Sequence, residues 1–163
     1  MENLRFLIKE LCKEYKESEW LEFKHNNCTP EMIGQDISAL ANGAAICEKS
    51  YAYMIWGVDD TTHEIVGTDF DLNKAKKGNQ ELENWLRYLL SKNTDFTFET
   101  VDMDGKKVGV LKISRALNQT VTFEKIDYIR VGSYTKKLNE FPNIESELWE
   151  KLRNCRFEEE IAK

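Results

Sequence analysis

The sequence predicts an α+β fold, a single domain with a mixed β-sheet and flanking helices. Two observations predict it. Segments with helical apolar spacing stand at both ends of the chain and between strands, and hairpin signals outnumber strand–helix–strand repeats. A length of 163 residues suits one domain with an ordinary core, and 41% hydrophobic content excludes a disordered chain.

Residues 1–16 repeat Leu4, Leu7, Ile8, Leu11 and Tyr15 at helical spacing, which predicts an N-terminal helix ending near Lys16. "EWLEFK" then alternates. Leu21 and Phe23 face one way, and Trp20, Glu22 and Lys24 face the other, as in a half-buried strand. Thr29 as cap, Pro30 in the first turn, a stripe of Ile33, Ile37 and Leu40, and a stop at Asn42-Gly43 predict a helix over 30–42. "SYAYMIWGVDD" reads as a central strand and "TTHEIVGTDF" as a turn and a second short strand. "NQELENWLRYLLSKN" reads as a helix with Leu82, Trp85, Leu86 and Leu89 inside. The Asp104-Gly105 pair marks a hairpin, and "QTVTFEKIDYIRVGSYTKKL" holds two more strands. Residues 142–163 close with a helix carrying Ile144, Leu148, Leu152 and Cys155 on its apolar side. The domain proper then spans 17–141, and the closing helix, which lacks a stop signal, suits the front portion of a longer protein.

Composition excludes several functions. A formal charge of -6 is not that of a protein coating DNA by charge alone, so nucleic-acid contact needs local basic patches or acid-bound metal. The charged, amphipathic start is neither a secretory signal nor a membrane span, which predicts a soluble, cytoplasmic protein without membrane partners. Cysteines 12, 28, 47 and 155 share no zinc-like spacing and read as structural. No P-loop or G-x-G-x-x-G is present, so no nucleotide cofactor is implied, and no G-x-S-x-G or paired Cys/His points to acyl transfer.

Glu22 and Lys24 share a strand face, and a carboxylate and a lysine so placed can hold a hard divalent ion and steady a water attacking a phosphodiester. Alone, that pair more often lies on a solvated strand face. Glu17 joins Glu22 only if the chain turns near Ser18. Asp59 and Asp60 end the apolar strand and supply further carboxylate, or simply open a turn. Candidate phosphate contacts are Lys74, Lys76 and Lys77 in one cluster and Arg130, Lys136 and Lys137 in another, with Tyr134 placed to stack on a base. Trp56, Trp85 and Trp149 read as core, whereas Trp20 shares the Glu22 face.

Taken in order, "ESEWLEFK", "ISALANG", "YMIWGVDD", "EIVGTDF" and "YIRVGS" resemble the Schlafen-type family, also called the AlbA-type DNA-binding domain of bacterial regulators. The resemblance runs from about Glu17 to Ser133. It implies a nucleic-acid-binding domain, acting on DNA or structured RNA, within a transcriptional regulator or defence protein. Its nuclease branch implies a second reading, a Mg²⁺- or Mn²⁺-dependent endoribonuclease acting on structured RNA such as tRNA. On that reading Glu17, Glu22 and Asp60 are catalytic metal ligands, with Lys24 beside them. A third reading is a protein-interaction or oligomerisation domain. The Schlafen core of animals is doubled, with two lobes, so one lobe here implies a homodimer if RNA is to be clamped. One departure stands out: "ANGAAICEKSY" has a single glycine and a charged connection where the family places a Gly-Gly turn.

Overall fold

The computed structural model describes residues 2–14, 18–26 and 29–162, with side chains described for 4–13, 18–26 and 29–154. The elements are α1 Glu2–Glu14, β1 Leu21–Lys24, α2 Pro30–Ile46, β2 Tyr51–Trp56, β3 Lys76–Lys77, β4 Gln80–Glu81, α3 Leu82–Leu89, β5 Phe96–Met103, β6 Lys106–Ser114, β7 Thr122–Phe123, β8 Ile126–Val131, β9 Tyr134–Lys137 and α4 Pro142–Ala162. The fold is α+β, as the sequence predicts.

The main sheet has the order β1-β2-β6-β5. β1 runs parallel to β2, and the remaining pairs are antiparallel, so the sheet is mixed. A second sheet, β7-β8-β9, is antiparallel throughout. Asp104 and Gly105 both take positive φ (55° and 86°), the turn geometry that a two-residue hairpin between right-twisted strands requires.

Helix α2 organises the molecule. Twelve of its residues are buried, covering every side of the helix, because it packs on β2 and β6 of one sheet and on β7 and β8 of the other. A helix enclosed on all sides needs small residues where backbones approach. Gly43 shows this: a Cβ there would lie 1.9 Å from the carbonyl oxygen of Glu19. The predicted stop at Asn42-Gly43 is therefore wrong. These residues are a packing contact inside the helix, which runs on to Ile46 and closes at Glu48 (φ 56°), with Lys49 N–H donating to the Ala44 carbonyl at 2.8 Å. Residues 43–46, assigned to the connection after the helix, are thus one more turn of it.

Two polar side chains of α2 fasten the second sheet. Ser38 Oγ donates to Val121 O (2.7 Å) and accepts from Tyr128 N–H (3.0 Å). Asn42 Nδ2 donates to Val121 O (3.0 Å) and Tyr128 O (2.9 Å), while its Oδ1 accepts from Val121 N–H (2.8 Å). Spaced by four, the pair lies on one helix face and reads the backbone entering β7 and leading β8.

Other expectations shift in detail. Residues 61–70 form an isolated bridge, Val58 with Ile65, rather than a second strand, and the segment read as two strands holds three. Thr29 precedes α2 without a side-chain cap bond. Helix α1 buries Ile8 and Leu11 in the common core, and α4 buries Leu148 and Leu152, so both terminal helices share the domain's core. Burial pushes the Cys12 thiol up to about 11, consistent with a structural role. Cys28 and the Cys155 side chain lie outside the described residues.

Candidate functional site

The side of β1 expected to be wet is covered. Leu21 and Phe23 are buried on the α1 side, and Lys24 is only 9% exposed on the other, under α2 and β8. A strand inside a sandwich of this kind must pair whatever charge it carries. Lys24 Nζ lies 3.0 Å from Glu22 Oε2 and 3.4 Å from Asp36 Oδ2. Arg130 of β8 reaches the same glutamate, with Nη1 2.9 Å from Glu22 Oε1, and its Nε donates to the Ser18 carbonyl at 3.2 Å. Thr135, opposite Arg130 in the β8–β9 ladder, donates its hydroxyl to Asp36 Oδ1 at 2.7 Å. Two acids and two bases thus form one buried cluster that ties both sheets together alongside α2.

Asp36 was not foreseen as part of this site. Its signal lay in the α2 stripe: it stands three residues after Ile33 and four before Leu40, an acid on a face otherwise apolar. Burial, reinforced by the Glu22 carboxylate, pushes its carboxyl up to about 6 against the pull of Lys24, Thr135 and Arg130. Burial alone would lower the Lys24 ammonium, but Glu22 and Asp36 outweigh it and hold that ammonium above its ordinary value.

A stability prediction follows from Asp36. A folded value of about 6 lies above the ordinary 3.8, so the folded state takes up the proton more readily. Its contribution is fully present below the unfolded value and is lost as pH rises through 6. Relative to Asp36→Asn, which keeps an acceptor for Thr135, the natural chain should lose about 2 kcal/mol between pH 4 and pH 7. Urea titrations of both proteins across that range check it; parallel stability curves would contradict it.

Of the predicted acid triad the structure describes Glu22 and Asp60; Glu17 lies outside the described residues. Asp60 stands exposed in the turn after β2, where its Oδ1 accepts from Thr61 Oγ1, and Asp59 Oδ1 accepts the Thr61 and Thr62 N–H groups at 2.8 Å each. That turn folds toward the α1 face: His63 stacks on Phe23 at 4.6 Å between centroids, and its Nδ1 lies 3.2 Å from the Cys12 carbonyl. Glu22 faces the opposite way. No group of three His, Cys, Asp or Glu side chains among the described residues could hold a metal ion. Each Glu22 oxygen already faces a cation, and a divalent ion there would meet Lys24 and Arg130. The described residues do not fit Mg²⁺ or Mn²⁺.

Arg130 is likewise corrected. At 2% exposure it serves the buried cluster and cannot meet a phosphate backbone. Its hairpin does present basic and aromatic groups: Tyr134 is 69% exposed, Lys136 Nζ stands 5.9 Å from the Tyr134 ring centroid, and Lys137 is exposed. Lys74 and Lys76 are exposed in the segment between β2 and α3. Lys77 pairs with Glu31 at 3.7 Å and lies 5.6 Å from the Trp85 ring. Trp56 is fully buried, and Trp85 and Trp149 pack against the core, as expected. Trp20 is buried too, under Lys49.

The sequence profile of the Schlafen, AlbA_2 family matches residues 17–139. Among solved structures, the DIP2311 protein from Corynebacterium diphtheriae is similar to this chain, with a TM-score of 0.60 and 16% identity, over 94% of this chain. At that identity the likeness speaks for the fold, and this chain spans 29% of that protein's length. No curated protein matches. The family match takes in β1, α2, β8 and β9, the elements that build the ion cluster, and covers about three-quarters of the sequence; the chain belongs to the Schlafen, AlbA_2 family.

Proposed function

We propose that this chain is a nucleic-acid-binding module, of the kind carried by transcriptional regulators or defence proteins, and that its β8–β9 hairpin is the contact surface. One observation carries the reading. An exposed aromatic ring stands beside a lysine, Lys136, with exposed Lys137 next along, on a hairpin tied from beneath by the Thr135–Asp36 bond. Stacking on Tyr134 suits unpaired bases, and Lys136 and Lys137 suit phosphates. Cleavage, which the family resemblance also implies, would require Glu22 to be released from both Lys24 and Arg130.

Fluorescence titrations with tRNA, single-stranded DNA and duplex DNA test the proposal. Affinity should fall steeply with salt, and each of Lys136→Ala and Lys137→Ala should reduce the log–log slope by roughly one unit. Tyr134→Ala should weaken single-strand binding by about 1–3 kcal/mol and leave duplex binding nearly unchanged. Absence of binding to all three at low salt would refute the module; binding unaffected by these substitutions would refute the hairpin as its surface.

A further inference from the structure

We propose that the outer edge of β5 is a docking site for an extended, lysine- or arginine-bearing peptide segment of a partner protein, taken up by strand addition. β5 is eight residues long, ends the main sheet, and among the described residues pairs only with β6. The ladder fixes which groups point outward. Ser114 N–H donates to the Asp95 carbonyl, so odd-numbered residues of this strand address β6. Even-numbered ones address the open side, and two contacts confirm it: Arg87 Nη2 donates to Phe96 O at 3.0 Å and Arg5 Nε to Asp102 O at 3.1 Å. Between those two capped carbonyls lie Phe98 and Thr100, whose outward N–H and C=O groups have no partner among the described residues. A row of this kind is the template on which an added strand pairs.

Charge selects the occupant. Residues 95–104 carry four acids and no base. Two lysines of β6 turn elsewhere: Lys106 Nζ donates to the Ile65 carbonyl and Lys107 lies 3.9 Å from Asp71; Lys112 shares the groove with Glu99, but its Nζ is drawn over the Tyr51 ring, 4.0 Å from the centroid. Arg5 and Lys9 stand beside Asp102 and Asp104, which leaves Glu99, at the centre of the open window, facing solvent. Two copies paired antiparallel across this window would bring Glu99 against Glu99, which disfavours self-association. A cationic side chain from an added strand would sit beside it instead. On the same face a groove of about 250 Å³, lined by Leu4, Leu7, Tyr53 and Val110, adjoins Thr97 and Glu99. Side chains two apart on a strand share a face, so the segment that fits carries a basic residue and, two positions away, an apolar one.

Selection of a displayed random ten-residue peptide library on the purified chain tests this. Enriched peptides should carry Lys or Arg spaced by two from an apolar residue. Thr100→Pro removes an outward N–H without touching the β6 ladder, a place where edge strands accept proline. It should weaken a selected synthetic peptide at least about ten-fold, with unchanged circular dichroism. Glu99→Lys, a surface change, should do the same and decides the matter if Thr100→Pro does not fold. No enrichment, enrichment without that pattern, or binding indifferent to Glu99→Lys overturns the proposal. So does sedimentation showing a dimer that Glu99→Lys abolishes, since the edge would then belong to a second copy.

Discussion

Glu22→Ala is expected to cost about 3–5 kcal/mol of folding stability, a large share of what a domain of this size holds. The reason is the company Glu22 keeps. It is the carboxylate shared by Lys24 and Arg130, both nearly excluded from water. Removing it takes from two buried cations the carboxylate they share, and Asp36, the other acid of the cluster, ionises reluctantly because burial raises its carboxyl. The opposite result follows if Glu22 belonged to a cluster of repelling acids awaiting a metal: its loss would then relieve strain and leave stability level or improved. Urea unfolding decides between them, and a cost below about 1 kcal/mol would refute the structural role. A double variant sharpens the result. Glu22→Leu with Arg130→Met replaces charge by apolar volume and should recover much of the loss, because the cost lies in unpaired charge rather than in missing contacts.

What the sequence made legible follows from which signals are local. The strand alternation at Leu21 and Phe23, the aromatic-rich β2 and the Asp104-Gly105 turn report on immediate neighbours, and these elements stand where expected. Glu22 and Lys24 do share a face, as period two dictates. The nature of that face was not legible, because β8, more than a hundred residues later, covers it. The same distance misplaced Arg130: the arginine does point away from Ile129 and Val131, yet toward the core side of a second sheet that no local pattern announces. Asp36 carried a readable signal, an acid on an apolar helical stripe, but its partner Thr135 lies ninety-nine residues away. Asn42-Gly43 failed for a related reason. The pair has the composition of a helix stop, and only tertiary contact shows that the amide reads a neighbouring backbone and the glycine admits another.

That amide carries the second large effect. Asn42→Ala should destabilise the fold by about 3 kcal/mol, because the side chain makes three bonds to backbone groups in a fully buried place. Val121 N–H would lose its acceptor outright, and a buried donor left unpaired costs about 1–3 kcal/mol. The Val121 carbonyl still receives Ser38 Oγ, so the damage should concentrate on Val121 N–H and the Tyr128 carbonyl. Hydrogen exchange can see this directly: the Val121 amide should lose protection while amides of β2 and β6 keep most of theirs. Asn42→Asp is the informative companion. Its carboxylate still accepts from Val121 N–H but cannot donate to the Tyr128 carbonyl, so one oxygen would face carbonyl oxygens unless protonated. Its stability should therefore rise as pH falls, a dependence the alanine variant lacks. If both substitutions leave the unfolding midpoint and Val121 exchange unchanged, α2 does not hold the second sheet through Asn42. The support of the β8–β9 hairpin would then rest on Ser38 and the Glu22–Lys24–Asp36–Arg130 cluster.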